Sequence, residues 1–160
     1  MKRYEGKNVL VTGAGSGIGE AMAREFAAEG AFVWVLDLDE AKGNAVAGDI
    51  GGEFHVCDVS DQKSVAELFG KLVADKRLDV LVNNAGICAA SLAVNTPVDL
   101  AKKVLETNYY GMLRLVAAFY PEAIPKHQNA TIVNVGSIAG RIGIPFQSSY
   151  SSSKAAVEVY

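Results

Sequence analysis

The amino-acid sequence predicts an α/β fold with a doubly wound parallel sheet. Half of the 160 residues are hydrophobic and 21% are charged, with a mean hydropathy of +0.18, which is typical of a folded chain. Short apolar runs rich in β-branched residues alternate with longer segments of helical period, in the order βαβαβαβαβα. The length suits one domain, so we expect residues 1–160 to form a single one.

The first half of the chain predicts three strands joined by two helices. Residues 31–36 are apolar without interruption, which indicates a strand buried on both faces of the sheet. Gly30 comes just before this strand and can end the preceding helix in a left-handed cap. The predicted strands cover residues 8–12, 31–36 and 53–57, and the predicted helices cover residues 21–29 and 40–47.

The second half predicts three helices and two more strands. Ser60 or Asp61 is a suitable N-cap for the first of these helices. Pro121 and Pro125 restrict the chain near the end of the second, where their missing N–H groups do least harm. The predicted helices cover residues 61–75, about 99 to 118 or beyond, and 149–160, and the predicted strands cover 78–83 and 131–135.

Charge and cysteine content exclude several classes of function. Fifteen basic against eighteen acidic residues give a net charge of −3, which argues against binding to nucleic acid or to anionic membranes. Cys57 and Cys88 lie in apolar surroundings, so we expect two buried free thiols. Neither His55 nor His127 has a metal-ligand partner at useful spacing, so we expect no metal site. The sequence shows no signal peptide and no membrane span, which predicts a cytoplasmic protein.

A glycine-rich segment, Thr12-Gly-Ala-Gly-Ser-Gly-Ile-Gly19, lies where the first predicted strand passes into a helix. Gly13, Gly17 and Gly19 permit a tight turn, close approach of the backbone to a pyrophosphate, and close seating of the helix on the sheet. The N–H groups and dipole of the helix attract the phosphates. The segment therefore predicts a dinucleotide site, although glycines that merely permit a sharp turn are the alternative.

Asp37 follows the glycine turn by roughly 20 residues, at the end of the second predicted strand. Its carboxylate can accept hydrogen bonds from both ribose hydroxyls of an adenosine and would repel a 2′-phosphate, which favours NAD over NADP. The neighbouring Ser16 and Leu38 carry no cation for such a phosphate. Asp37 as the N-cap of the next helix is an alternative that does not exclude this role.

Six motifs follow one another along the chain. They are Thr12-Gly-x-x-x-Gly-Ile-Gly19, Asp58-Val59, Asn83-Asn-Ala-Gly86, Asn108, Ser137 and Tyr150-x-x-x-Lys154. Taken together, they resemble the short-chain dehydrogenase/reductase family, in its compact single-domain branch with Tyr-x-x-x-Lys. The resemblance runs from residue 8 to residue 154 and implies a Rossmann-type sheet of strand order 3-2-1-4-5, lacking the last strands of the family.

The resemblance also implies a set of cofactor-binding residues. Asp58 would contact the adenine with help from the backbone of Val59, and the segment from Asn83 to Gly86 would support the sheet beside the adenosine ribose. The full expected set is Gly13, Ser16, Gly17, Ile18, Gly19, Asp37, Leu38, Asp58, Val59, Asn83, Ala85, Gly86, Tyr150 and Lys154.

Tyr150 and Lys154 are four residues apart at the start of a predicted helix, so their side chains leave the same face. A tyrosine hydroxyl has a reference pKa of about 10, and a nearby ammonium group favours its phenolate form. Such a pair suits hydride transfer between a carbinol carbon and nicotinamide, with Tyr150 moving the hydroxyl proton. Ser137 would hydrogen-bond the substrate oxygen. By resemblance, Lys154 also binds the nicotinamide ribose, and Asn108 fixes a water that links Lys154 to solvent.

Each catalytic residue has a simpler interpretation. The tyrosine could be a packing residue and the lysine a solvated one, while Asn108 could be a buried amide that ties neighbouring helices together. Ser137 could be an ordinary turn residue. The main hypothesis is an NAD-dependent alcohol dehydrogenase or carbonyl reductase that acts on a small-molecule alcohol or ketone. The alternative is a catalytically impaired NAD-binding module, or a regulatory or oligomerising fragment.

The alternative of an impaired NAD-binding module rests on segments that are missing from the sequence. By resemblance, a strand with a Pro-Gly turn, a substrate lid and a final strand would follow the Tyr-x-x-x-Lys helix. The chain stops at Tyr160, so we expect a C-terminally incomplete domain whose strand at 131–135 is an exposed edge. Residues 89–94 and 140–147 are small and apolar, which hints at a hydrophobic substrate. A homodimer or homotetramer is expected by resemblance. The last helix should leave Ala155, Ala156, Val157 and Val159 incompletely covered.

Overall fold

A five-stranded parallel sheet forms the centre of the molecule, in a computed structural model that describes residues 2–75, 77–123 and 130–160. The strand order is β3-β2-β1-β4-β5, which confirms the predicted fold class and topology. The order reverses between β1 and β4, and ligands of such sheets bind where this happens, at the carboxyl ends of the strands. The strands are β1 Asn8–Thr12, β2 Phe32–Asp37, β3 Glu53–Val56, β4 Val80–Asn83 and β5 Thr131–Asn134.

Helices cover both faces of the sheet. Alternate residues of a strand point to opposite faces, so Leu10 packs with α3 and α5, whereas Val9 and Val11 pack with α1 and α2. The helices are α1 Gly17–Ala28, α2 Glu40–Ile50, α3 Gln62–Asp75, α4 Val98–Leu105, α5 Gly111–Ala123 and α6 Ser148–Val159, with short 3-10 turns at Ala93–Asn95 and Ile138–Gly140.

The helix predicted from about 99 to 118 is interrupted. A π turn at Glu106–Tyr110 separates α4 from α5, and single π turns inside helices often occur at functional sites. Helix α5 continues to Ala123, so Pro121 lies in its last turn, as predicted for a proline near the helix end. Pro125 falls outside the described residues.

Trp34, the single tryptophan of the chain, lies in the middle of β2. It is 2% exposed, and its ring meets that of Phe32 edge to face with a centroid distance of 5.6 Å. The four central residues of β2 are buried, which confirms the strand predicted to be covered on both faces. The centre of the sheet is therefore dry and closely packed.

The edge at β5 is more open, as the sequence predicted. Ile132 and Val133 are partly exposed, and the C-terminal Val159 is almost fully exposed. The expectation for Val157 was wrong, because this side chain is buried in the core beside Leu115.

The prediction of two buried thiols holds for Cys57 alone. Cys88 is exposed, because it lies in the irregular segment after β4, away from the sheet's core. Asp61 precedes α3 and accepts the Lys63 N–H at 3.0 Å, which confirms one of the two suggested caps.

None of the described helices has the length and apolarity needed to cross a membrane.

Candidate functional site

A cleft of about 640 Å³ lies at the carboxyl ends of β1 to β4. It contains most of the predicted cofactor-binding residues, whereas Gly19, Asn83, Tyr150 and Lys154 lie outside its lining. The predicted residues that line it are Gly13, Ser16, Gly17, Ile18, Asp37, Leu38, Asp58, Val59, Ala85 and Gly86.

The glycine turn is shaped by backbone geometry and close packing. Gly13 and Gly17 have φ of 63° and 56°, a left-handed conformation that favours glycine. A Cβ on Gly19 would lie 2.1 Å from the Gly13 carbonyl oxygen, so α1 could not seat here with a larger residue. Ser16 is the N-cap of α1, and in the described structure its hydroxyl makes no capping hydrogen bond. The N–H groups of the first turn of α1 therefore retain their capacity for an anion.

Asp37 is held by two backbone N–H groups at the end of β2. Its Oδ2 accepts from Gly15 at 2.8 Å and its Oδ1 from Asp39 at 3.0 Å. The alternative interpretation of Asp37 as the cap of α2 was wrong, because Asp39 accepts the Lys42 N–H at 3.1 Å instead. Sequence reasoning missed Gly15, where a Cβ would lie 2.9 Å from Asp37 Oδ2. Its place between Gly13 and Gly17 was the available signal.

Thr12 and Asn84 join the ends of β1 and β4, and neither was among the predicted site residues. The buried Thr12 hydroxyl donates to the Val82 carbonyl at 3.2 Å and accepts the N–H groups of Asn84 and Ala85, both at 3.0 Å. In return, Asn84 Nδ2 donates to the carbonyls of Thr12 at 2.9 Å and Gly13 at 3.2 Å. These bonds fix the two sides of the cleft relative to each other.

The third side of the cleft comes from the residues after β3, from α4 and from the π turn. Asp58 Oδ1 accepts the N–H of Ser60 at 2.9 Å and its hydroxyl at 2.6 Å, which fixes the carboxylate. Lys103 and Thr107 also line the cleft and were missed by sequence reasoning, since a helix facing solvent gives no distinctive pattern. Of the described residues that line the cleft, Lys103 is the only cation.

Asn108 lies in the π turn and is buried. Its Oδ1 accepts the Ile87 N–H at 2.8 Å, while its Nδ2 donates to the Ile87 carbonyl and to Ser153 Oγ, both at 2.9 Å. Ser153 in turn donates to the Tyr150 carbonyl at 2.7 Å. The amide therefore joins the segment after β4 to α6, as its simpler interpretation predicted.

Lys154 is 5% exposed, so the interpretation of this residue as a solvated lysine was wrong. Its Nζ donates to the Val135 carbonyl at 2.6 Å and lies 5.9 Å from the ring centroid of Tyr150. Burial lowers the pKa of the Lys154 ammonium. The structure thus brings the predicted tyrosine and lysine together on α6.

Ser137 follows β5 and is the N-cap of the 3-10 turn Ile138–Gly140. Its Oγ accepts the Ala139 N–H at 3.2 Å, which leaves the hydroxyl hydrogen able to donate to another group. Neither Ser137 nor Tyr150 lines the large cleft, whereas Asn83, Asn108 and Lys154 meet at a smaller cavity behind it.

The loop that leads into α6 is held in an unusual conformation. Phe146 has φ of 66°, which is rare for a residue with a side chain, and its carbonyl accepts the Ser91 N–H at 2.8 Å. Its ring is exposed, as are the side chains of Ile138 and Ile142. An apolar surface thus lies on the segment between Ser137 and Tyr150.

Comparison with known proteins identifies the family. A family model described as short chain dehydrogenase matches residues 7–160. The chain is a member of the short-chain dehydrogenase family. Members of this family are oxidoreductases that bind a nicotinamide cofactor, NAD or NADP.

Individual relatives agree with this assignment. The chain is 38% identical over 159 residues to short-chain dehydrogenase virD of Hypocrea virens, covering 96% of this chain and 54% of the relative. It is 37% identical over 161 residues to 3-oxoacyl-[acyl-carrier-protein] reductase FabG of Thermotoga maritima, covering 97% and 65%.

A solved structure of a short chain dehydrogenase/reductase family protein superposes with a TM-score of 0.92 at 37% identity, covering 99% of this chain and 66% of that one. The chain thus spans between about half and two thirds of the length of these relatives.

Proposed function

We propose that the chain carries the nucleotide-binding and proton-transfer parts of an NAD(H)-dependent oxidoreductase that interconverts an alcohol and a ketone. The observation that carries this proposal is the buried Lys154 ammonium, which lies 5.9 Å from the Tyr150 ring centroid. Both residues are on α6, and Asn108 joins this helix to the segment after β4 by hydrogen bonds. A buried cation beside a phenol is costly to maintain, and it is useful where a proton must leave that phenol.

The cleft residues fit a dinucleotide. Gly19 has no room for a Cβ, so the glycine turn packs tightly and leaves the N-terminus of α1 accessible to a pyrophosphate. Asp58 and Val59 line the cleft where an adenine would bind. When bound, NAD supplies the carbon centre that accepts or donates the hydride.

Asp37 supports NAD over NADP. Two N–H donors, from Gly15 and Asp39, keep the carboxylate at the end of β2, where its negative charge disfavours a 2′-phosphate. Its neighbours Ser16 and Leu38 are uncharged.

The proton is handled by Tyr150 in this proposal. In reduction, its hydroxyl gives a proton to the carbonyl oxygen as the C–H bond forms, and in oxidation it takes that proton back. The Lys154 ammonium stabilises the negative charge that develops on the phenol oxygen. The free hydroxyl hydrogen of Ser137 donates to the substrate oxygen and orients it.

The substrate in this proposal is hydrophobic. The exposed side chains of Ile138, Ile142 and Phe146 offer an apolar surface between Ser137 and Tyr150. Assembly as a homodimer or homotetramer and a cytoplasmic location are part of the proposal. The proposal also includes that residues 1–160 form one dinucleotide-binding domain.

A comparison of Tyr150→Phe with the wild-type chain tests the proposal. We expect turnover on a panel of apolar secondary alcohols to fall by about 10²- to 10⁴-fold, while the Kd for NADH measured by calorimetry stays within about threefold. Tyr120→Phe is the matched control, because Tyr120 is exposed on α5.

Three outcomes would contradict parts of the proposal. NADH binding without any turnover that depends on Tyr150 would support the NAD-binding module instead. Equal loss of turnover in Tyr120→Phe would exclude a specific role for Tyr150. Tighter binding of NADPH than of NADH would overturn the selectivity assigned to Asp37.

A further inference from the structure

The segment of residues 137–142, called here the serine turn, has little apolar contact with the rest of the molecule. It follows β5 at the open edge of the sheet, where the strand itself is partly exposed. Ala139 is buried, but Ile138 and Ile142 are exposed. The described backbone hydrogen bonds of this segment are local, such as that from the Gly140 N–H to the Ser137 carbonyl at 2.9 Å. Other contacts must therefore hold the serine turn in place.

One of these contacts is the close approach of Gly140 to α6. A Cβ on Gly140 would lie 2.8 Å from the Lys154 carbonyl oxygen and 3.0 Å from the Ala155 nitrogen. The backbone of the serine turn thus packs directly on the helix that carries Tyr150 and Lys154. The place of Ser137 relative to Tyr150 depends on how firmly this packing is held.

The carboxylate of Glu158 lies against both ends of the serine turn. A Cβ on Gly136, the residue before Ser137, would lie 2.6 Å from Glu158 Oε1. The other oxygen, Oε2, accepts from Arg141 Nε at 3.1 Å and from Arg141 Nη2 at 3.0 Å. One carboxylate on α6 therefore contacts the backbone where the segment begins and binds a side chain near its end.

The Arg141–Glu158 pair differs from an ordinary surface ion pair. Exposed pairs contribute little, because water screens both charges. Here the Glu158 side chain is 26% exposed, although that of Arg141 is 70% exposed. Two N–H groups of one guanidinium converge on one oxygen, which adds geometric specificity. Glu158 also follows Lys154 by four residues, so it lies on the same face of α6.

We propose that Glu158 is a positioning residue for Ser137. Its carboxylate fastens the serine turn to α6, so that the hydroxyls of Ser137 and Tyr150 keep a fixed relation and can reach one substrate oxygen. Glu158 lies outside the lining of the large cleft and acts through the serine turn alone. The attachment is independent of the proposed function, whereas its effect on turnover rests on that function.

Hydrogen exchange of the Gly140 and Ile142 amides, measured by NMR on the full chain, tests the attachment. Both N–H groups donate inside the serine turn, so their exchange reports its opening. In Glu158→Gln we expect exchange about fivefold faster, because the ion pair is lost while the size of the side chain is kept. Adding 1 M NaCl should speed exchange in the wild type and leave Glu158→Gln nearly unchanged, since salt screens charges.

Two further variants separate the ion pair from a general loss of stability. Arg141→Gln should speed exchange as much as Glu158→Gln, and the double variant should add nothing, because both remove the same pair. Glu29→Gln is the matched control, since it removes another Arg–Glu pair, with Arg3 at 3.2 Å, and should leave Gly140 exchange unchanged. Unchanged exchange in Glu158→Gln, equal acceleration in Glu29→Gln, or additive effects in the double variant would overturn the attachment.

Turnover tests the positioning role. We expect Glu158→Gln to lower kcat about fivefold while the Kd for NADH stays within about threefold, because the lining of the cleft includes neither the serine turn nor α6. An unchanged kcat beside faster exchange would overturn the positioning role and leave the attachment standing. A wild-type chain without turnover would defeat the proposed function, and the exchange rates would still decide whether Glu158 holds the serine turn.

Discussion

The glycine turn and helix α6, which carries the proposed proton-transfer pair, are built in different ways. The turn is held by close packing of backbone atoms. Because Gly19 has no Cβ, the start of α1 can pack directly against the Gly13 carbonyl. Helix α6 instead depends on a few side chains, Asn108, Ser153 and Lys154, next to an edge strand whose residues are partly exposed. The glycine turn should therefore tolerate almost no substitution, whereas substitutions in α6 should reduce the proposed activity before they reduce stability.

The largest effect is expected at the turn. Gly19→Ala places a methyl group 2.1 Å from the Gly13 carbonyl oxygen and 2.5 Å from Asn84 Nδ2, so β1, α1 and the segment after β4 must separate. We expect a loss of about 3 kcal/mol in the free energy of unfolding, measured by urea denaturation, together with loss of NADH binding.

Gly70→Ala is the control for that variant. Gly70 lies inside α3 with no atom within 4 Å of an added Cβ, so alanine should stabilise the helix by about 0.5–1 kcal/mol. Equal stability changes in the two variants would show that the turn is not governed by close packing.

The next effect compares two valines that are paired across β4 and β5 in register. Val82 is fully buried, while its partner Val133 is 38% exposed. We expect Val82→Ala to cost about 2 kcal/mol and Val133→Ala less than about 1 kcal/mol, because a cavity forms only at the first site. Thermal and urea unfolding measure both. A cost at Val133 as large as that at Val82 would mean that β5 is covered in solution.

The smallest effect concerns Asp79, which lies just before β4 and joins it to the start of β1, at the end of the sheet opposite to both regions. Burial alone would raise the pKa of Asp79, but hydrogen bonds from Arg77, the Asn8 N–H and Lys7 outweigh burial, so the pKa lies below its usual value. We expect Asp79→Asn to cost about 1 kcal/mol at pH 7.

The pH dependence of that cost has a definite sign. Because the folded pKa is lower than the unfolded one, the contribution of Asp79 is complete above the ordinary aspartate pKa of about 4 and is lost as the pH falls through the folded value. Unfolding of wild type and Asp79→Asn between neutral and acid pH measures this. A stability difference that grows on acidification would contradict it.

Much of this architecture could be predicted, because the signals are local. The apolar run of β2 and the alternation of strands and helices give the sheet, and the spacing from the glycine turn to Asp37 gives the cleft. The place of Gly15 between Gly13 and Gly17 indicated its presence in the turn but not its role, because its N–H matters only once β2 lies beside the turn.

The remaining features depend on tertiary contacts. The π turn interrupts a segment of continuous helical period so that Asn108 can bond to the Ile87 backbone, a partner far away in the sequence. The burial of Lys154 depends in the same way on β5 and the π turn. Cys88 has apolar neighbours in sequence, yet the chain leaves the sheet before it, so its thiol meets solvent.

The buried Trp34 makes the molecule an optical reporter of its own folding. Indole emission shifts to shorter wavelength in an apolar environment, and this chain has one indole, packed edge to face on Phe32 in the same strand as Asp37. Its emission therefore comes from a single place at the centre of the sheet. A red shift during unfolding records the exposure of the core around Trp34, and quenching on addition of NADH would report occupancy of the cleft at the carboxyl end of β2 without any added label.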